Sequence, residues 1–314
     1  ALSARASGDS YWGDVLKDAL VQDGGVDRAT HRFHTYPARM HPDCASRLIA
    51  ECEGHVHDPF CGGGTVLLEA KLHGRACSGT DLSPVAVLVS KARTAPPEMA
   101  TPLRSASRKI ADLAQRRVEV TVPELAMRWY QPHVAQELGR IRDGIMVSDP
   151  TVQPLLRAVF SSILVKVSFR ESDTSNRRSP HERPPGTTAT LFHKKARELG
   201  RAIEAMPEGP NPRIRAADAR KIGPSDDAGL ILTSPPYPGV YDYLPMHQLR
   251  YAWLGMDASD ALTKEIGARR AFRAKGRQDA LKRWRKDTDI WVVTQAEALV
   301  PGGRFVIVVG DGLV

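Results

Sequence analysis

Strand-length runs recur at HVHDPF (55–60), ACSGTD (76–81), GLILT (229–233) and RFVIVV (304–309). Between the first two lies TVLLEAKL (65–72), a helix expected to turn Val66, Leu67, Ala70 and Leu68 inward, which His73-Gly74 terminates. Strand, glycine loop, helix and strand make one β-α-β unit, which requires parallel strands and a right-handed crossover. A further helix over 289–299 is expected to feed the last strand through the turn Pro301-Gly302-Gly303. The pattern predicts an α/β fold: a Rossmann-like, mainly parallel sheet. Residues 94–212 read differently, as a largely helical insertion with few strand candidates. Within it, FRESDTSNRRSPHERPPGTTAT (169–190) is rich in Ser, Thr, Pro and Arg and is expected to be a mobile loop. The expected organisation is therefore an α/β domain over 1–93 and 213–314 and a helical insertion over 94–212.

With 314 residues there is ample material for a core, and the 42% hydrophobic, 25% charged composition is that of a globular protein. No run of apolar residues is long enough to span a bilayer, and the N-terminal stretch lacks the apolar centre of a secretory signal. The four cysteines, Cys44, Cys52, Cys61 and Cys77, match no zinc spacing; a reducing, cytoplasmic setting and no metal are expected. Net charge is +8, and its distribution matters more than its size. Residues 264–286 hold ten Lys/Arg and two acids, 10 − 2 = +8, so one segment accounts for the whole excess. Such a segment suits a polyanionic partner; a solvated helix face is the alternative.

DPFCGGGT (58–65) lies at the carboxyl end of a strand, where open α/β sheets bind ligands. Its glycines allow close backbone approach and the helix start offers free N–H groups. A dinucleotide fingerprint fails because Leu67 stands where the third glycine should be, and no Gly-Lys-Ser/Thr follows for a phosphate loop. Asp81, ending the next strand, can take two ribose hydroxyls. The combination suits a nucleoside cofactor without pyrophosphate, such as S-adenosylmethionine; a plain strand–helix turn is the alternative. A second strand ends in TSPPY (233–237). Proline lacks an N–H, so the carbonyls here escape local pairing. Ser234 Oγ and the Pro235 carbonyl can accept the two N–H bonds of an exocyclic amine, whose lone pair is delocalised and poorly nucleophilic. Tyr237 can hold a base rotated out of its stack.

DPFCGGGT together with TSPPY resembles the amino-methylating family of S-adenosylmethionine-dependent DNA methyltransferases. The Ser form of the proline loop is typical of its cytosine-N4 members. The resemblance covers both ends of the chain but not the middle: it implies a cofactor-binding catalytic domain over 1–93 and 213–314, and it puts the insertion, 94–212, where one class of the family carries its target-recognition region. It implies methyl transfer to the N4 amine of a flipped-out cytosine in double-stranded DNA, leaving S-adenosylhomocysteine. It places Tyr36 and Pro37, from HRFHTYPARMHP (31–42), at the methionine end of the cofactor site. Asp58, Pro59, Phe60, Gly62, Gly64 and Thr65 form the cofactor loop, Asp81, Leu82 and Ser83 the ribose side, and Asp218 the position beside the adenine ring. Ser234, Pro235, Pro236 and Tyr237 form the catalytic loop. Members of the family continue past the last strand with a further strand pair; this chain stops at Val314, so the sheet is expected to be incomplete or completed elsewhere.

The DNA contacts expected are Arg39, Arg177, Arg178, Tyr241, His247, Arg269, Arg270, Arg273 and Lys275. Arg39 can instead meet the cofactor carboxylate. Trp129 and Tyr130 are expected in the core of the insertion, and His55 and His57 need no catalytic role. Cytosine-C5 chemistry is discounted because no cysteine follows a proline. The alternatives are an RNA guanine-N2 or an adenine-N6 methyltransferase, and an inactive nucleic-acid-binding protein. A cytoplasmic, nucleoid-associated protein with a cognate restriction or defence partner completes the expectation.

Overall fold

The computed structural model describes residues 5–21, 24–25, 27–37, 39–274 and 276–310. In chain order these form α1 (Ser10–Ala19), α2 (Pro42–Ala50), β1 (His55–Asp58), α3 (Thr65–Leu72), β2 (Cys77–Asp81) and α4 (Pro84–Arg93). A helical stretch follows: α5 (Ala100–Ala114), α6 (Glu124–Trp129), α7 (Pro132–Met146) and α8 (Gln153–Leu164). A short hairpin, β3 (Arg170–Ser172) and β4 (Ser175–Arg178), then precedes α9 (Thr187–Glu204). The chain returns through β5 (Arg213–Ala216) and β6 (Ala228–Thr233). It then runs along α10 (Tyr243–Met246), α11 (Gln248–Leu254), α12 (Ser259–Lys264), α13 (Arg269–Ala274) and α14 (Arg277–Ala296) to β7 (Leu299–Ile307).

Five strands pair in the order β5-β2-β1-β6-β7, every neighbouring pair parallel. β1 and β6 are buried along their whole length, as a parallel sheet covered on both faces requires. The chain winds outward from β1 through β2 to β5, then returns to the other side of β1. The strand order therefore reverses between β1 and β6, and open α/β sheets place their ligands at the carboxyl ends of that pair. The fold is Rossmann-like α/β.

Close packing fixes the switch point. A Cβ at Gly229 would lie 1.9 Å from the Glu53 carbonyl oxygen. Gly229→Ala must therefore push β6 away from the turn that starts β1. It is expected to cost about 3 kcal/mol, read by urea denaturation; a loss under about 0.5 kcal/mol would contradict this packing.

The helices over 100–204 do not close a core of their own. Leu88 and Ala92 of α4, Leu103 of α5, Phe160 of α8, Phe192 of α9 and Trp253 of α11 belong to one apolar cluster. Trp253 meets Tyr130 and Phe160 edge to face, with centroids 5.8 and 5.9 Å apart. Trp129 and Tyr130 are buried, as expected. A second cluster lies between α2, α3 and the sheet, and a third gathers Ala219, Ile266 and Trp291.

Four expectations are corrected. The helix before the last strand spans Arg277–Ala296 and so starts inside the basic run, whose charges hide its apolar period. The last strand starts at Leu299, before the Pro-Gly-Gly sequence, which bulges within it: Ala228 pairs with Leu299, whereas Leu230 pairs with Arg304. The 169–190 stretch contains the β3–β4 hairpin and the start of α9. Finally, β5 was not foreseen, because RIRA buries only Ile214 at the sheet edge and carries no apolar run.

Candidate active site

The loop after β1 is shaped by its neighbours. Cys61 N–H donates to the Thr80 carbonyl at 2.9 Å and Thr80 Oγ1 donates to the Pro59 carbonyl at 3.0 Å, tying it to β2. Gly62 and Gly64 have φ of +47° and +80°, the left-handed region that favours glycine. A Cβ at Gly63 would sit 2.9 Å from Arg93 Nη1 and 3.1 Å from Tyr36 Cβ; one at Gly64 would sit 3.0 Å from Ser90. These glycines thus admit neighbouring protein as well as leaving backbone open to a ligand.

Arg93, buried at the end of α4, had no signal in the sequence. Its guanidinium donates to the Gly63 carbonyl at 2.6 Å and to the His31 and His34 carbonyls at 3.1 and 2.7 Å. One side chain therefore fastens the 31–37 segment over the glycine loop. Arg93→Met would leave the Gly63 and His34 carbonyls without this donor, the His31 carbonyl keeping only Arg39, and is expected to cost about 3 kcal/mol. Urea denaturation checks it; a wild-type midpoint would show that the segment is held otherwise. On the same side His31 Nε2 lies 2.6 Å from Glu69 Oε1, and Arg28 bridges Glu69 and Asp43 at 3.1 and 2.6 Å.

A two-lobed cleft opens at the carboxyl ends of β1, β2 and β6. One lobe is lined by Asp81, Leu82, Ser83, Asp218 and Pro236, with Pro37 and Pro59 at its side. The other is lined by Asp58, Gly63, Thr65 and Arg39. Tyr36, Phe60, Gly62 and Ser234 line both, so Ser234 stands at their junction. Gly64, Pro235 and Tyr237 line neither lobe. Tyr237 instead folds back, with its hydroxyl 2.9 Å from Ser234 Oγ, a contact the sequence did not announce.

The carboxylates differ in their partners. Asp81 accepts Gly62 N–H at 2.9 Å on one oxygen and Ser83 N–H at 2.8 Å on the other, which leaves a lone pair free on each. Burial pushes it up to about 6. Asp58 accepts Thr233 Oγ1–H at 2.7 Å and Phe60 N–H at 3.1 Å. Burial outweighs these bonds and pushes it up to about 7, and among the described residues it forms no ion pair. Burial thus holds this carboxyl largely protonated below neutral pH, and a cation placed beside it would favour the ionised form. Asp218 is clamped by Arg220 at 2.9 and 2.7 Å, and Arg220 also reaches Asp287 at 2.8 Å. Burial raises Asp218, but Arg220 overcomes it and holds the carboxyl below its ordinary value. Its oxygens are thus largely engaged within the protein.

Two other groups are set aside by their surroundings. Burial drives the Cys61 thiol well up, so it stays protonated beside Ser90 and is no nucleophile. Burial, with His55 and Arg215 nearby, pushes His57 down to about 3, so it is neutral at physiological pH.

Several wall residues were missed. Tyr243, Leu244, Glu265 and Ile266 line the first lobe. Glu265 accepts the N–H groups of Tyr243 and Leu244 at 2.6 and 3.3 Å and pairs with Arg270. It is one of only two acids in the basic run, and that was the available signal. Trp291 packs edge to face on Phe60, centroids 5.0 Å apart, and Trp284 Nε1–H donates to the Pro236 carbonyl at 3.4 Å. One face of α14 thus backs both loops of the cleft.

The expected nucleic-acid contacts divide. Arg177, Arg178, Arg269 and Arg273 are exposed, with Arg178 stacked 5.2 Å over the Phe169 ring. Tyr241 is half-buried against Tyr243. One expectation is corrected: His247 is fully buried behind Tyr36, ring centroids 5.1 Å apart, and presents no face to a duplex. Arg270 is half-buried and pairs with Asp242 and Glu265. Arg39 lines the second lobe and donates to the His31 carbonyl at 2.7 Å. Lys275 lies outside the described residues. Among the described residues no helix is long and apolar enough to cross a membrane.

No protein-family model matches the chain. Among solved structures, it is similar to the rRNA methyltransferase aviRa from Streptomyces viridochromogenes, with 13% identity and a TM-score of 0.33 over 88% of this chain and 77% of that one. A likeness of that size carries no argument. The sequence comparison is closer: over 99 residues, 30% of this chain, it is 38% identical to the type II methyltransferase M.MvaI of Kocuria varians. The matched stretch spans 21% of that relative's length. Over 30% of its length, then, the chain is similar to a type II methyltransferase, and its described residues form a Rossmann-like α/β sheet with a two-lobed cleft at the switch point.

Proposed function

We propose that the chain is the catalytic part of an S-adenosylmethionine-dependent methyltransferase that modifies the exocyclic N4 amine of a flipped-out cytosine in DNA. The observation that carries this reading is the placement of Ser234. It stands where a lobe with a free-edged carboxylate, Asp81, meets a lobe ending on Asp58, a buried carboxylate that forms no ion pair among the described residues.

The residues fit the cofactor. The lone pairs left on Asp81 suit two ribose hydroxyls, and Asp58 suits an ammonium group. Arg39 and the start of α3 suit a carboxylate. When bound, S-adenosylmethionine supplies an electrophilic methyl on a positively charged sulfur. The chain's own task is to make a poor nucleophile attack it. Ser234 Oγ accepts one amine proton as a hydrogen bond, and the Pro235 carbonyl the other. That favours a pyramidal nitrogen whose lone pair points at the methyl. Tyr237, anchored through its hydroxyl to Ser234, holds the base against the loop. The gain comes from orientation and from dipoles fixed before reaction. The exposed cations of α13 and α14, with Arg177 and Arg178 of the hairpin, suit the phosphate backbone. The helical segment with its hairpin would then contribute to target recognition.

Calorimetric titration with S-adenosylmethionine tests the first half of this reading. Asp81→Asn is expected to weaken binding about 10- to 100-fold through loss of charge-assisted bonds to the ribose. An unchanged dissociation constant would remove Asp81 from the site.

A further inference from the structure

Thr35 lines a second cavity, of about 400 Å³, while the adjoining Tyr36 lines the cleft described above. Lys166, Arg170, Arg183 and Arg250 line it, against Glu171 and Asp173, an excess of 4 − 2 = 2 cations. The cations are not equally engaged. Arg170 is satisfied by the Ser175, Met246 and Asp173 carbonyls at 2.8, 3.0 and 3.1 Å. Arg250 consumes the Asp173 carboxylate. The Nε groups of Arg250 and Arg183 are buried without an acceptor. Lys166 is exposed at the wall. Arg183 also donates to the Lys166 carbonyl, so it is the net surplus of cations around the cavity, with the exposed Lys166 ammonium, that has the chemistry of an anion site. The volume suits a phosphate with its sugar rather than a monatomic ion. Arg177 and Arg178, though on the same hairpin, do not line it.

Resting on the function proposed above, we infer that this cavity takes a phosphodiester group of the nucleic acid, next to the nucleotide offered to the cleft. The hairpin β3–β4 and the end of α8 then form a phosphate clamp built against the same segment that closes the cleft. The clamp fixes position and carries no base readout.

The test is nucleic-acid affinity across a salt series, by fluorescence anisotropy with duplex DNA and with a 5′-mononucleotide as competitor. Lys166→Gln, Arg183→Gln and their combination are compared with wild type. The double variant is expected to bind duplex at least about 10-fold more weakly and to flatten the log–log salt slope by about 2. S-adenosylmethionine affinity, read by calorimetry, should not change. Lys166→Gln alone, which removes only an exposed ammonium, should flatten the slope by about 1. Dependence on these side chains for duplex alone assigns a polymer phosphate; equal dependence for the mononucleotide assigns a free one. Wild-type slope and affinity in all three variants would overturn the clamp and leave the proposed function standing. A wild-type protein that binds the cofactor but neither duplex nor mononucleotide would overturn both.

Discussion

Ser234→Ala is expected to slow methyl transfer about 10²- to 10³-fold, the usual consequence of removing one preorganised polar group at the reacting centre. S-adenosylmethionine affinity should stay within about twofold, because the hydroxyl matters most where charge develops on the amine. Tyr237 extends the test. Its hydroxyl lies 2.9 Å from Ser234 Oγ, and its ring lines neither lobe of the cleft. Tyr237→Phe keeps the ring and should cost only about 10-fold in rate, by freeing the Ser234 rotamer. Tyr237→Ala also removes the stacking face and should match Ser234→Ala. Single-turnover rates with saturating cofactor separate these effects from binding. Equal losses in rate and in cofactor affinity for all three would place the loop in the cofactor site and refute the role given to it.

Asp58→Asn is expected to weaken S-adenosylmethionine binding about 100-fold, since it removes the partner of a desolvated ammonium. Its effect on stability should have the opposite sign. Burial raises Asp58 to about 7, above the ordinary carboxylate value it would have unfolded. Stability from this group is therefore present at low pH and lost as pH rises from about 4 to about 7. The cofactor-free wild type should thus be less stable than Asp58→Asn at pH 8, and the gap should be much smaller at pH 5 and close near pH 4. Binding a cation favours the ionised form, so wild-type cofactor affinity should fall as pH drops below about 7, and the variant's should not follow it. Thermal denaturation at pH 5 and pH 8, with and without cofactor, reads all of this. A variant that binds normally, or one less stable than wild type at pH 8, would contradict the assignment.

The parts of the fold that could be read in advance are those where local pattern and tertiary role coincide. β1, α3, β2 and β6 are short and bounded by glycine, proline or an acid, so the β-α-β unit and the two loops at strand ends were visible from the chain alone, whereas the strand order was not. Their loops named Asp58, Gly62, Asp81 and Ser234, which the fold gathers in one cleft. What escaped were residues whose role depends on distant partners. Arg93 ends an ordinary helix, and only the return of the 31–37 segment makes it a clasp. Glu265 is one acid in a basic run, and only its position under Tyr243 and Leu244 makes it part of the wall. His247 failed for the converse reason: a polar side chain on the helix after a catalytic-type loop reads as accessible, yet Tyr36 covers it. In α14 the exposed charges mask the apolar stripe of Ala280, Trp284 and Trp291. That stripe joins the basic surface to the Ser-Pro-Pro-Tyr loop, so backbone engagement and loop geometry share one helix.

The central claim is methyl transfer to an exocyclic amine of DNA. Nucleoside mass spectrometry tests it most directly, after incubating the protein with S-adenosylmethionine and, in parallel, unmodified DNA and RNA. N4-methylcytosine in the DNA, absent with Ser234→Ala, is the predicted result. Methylated nucleosides in the RNA alone, or none in either polymer from a protein that binds both cofactor and DNA, would contradict it.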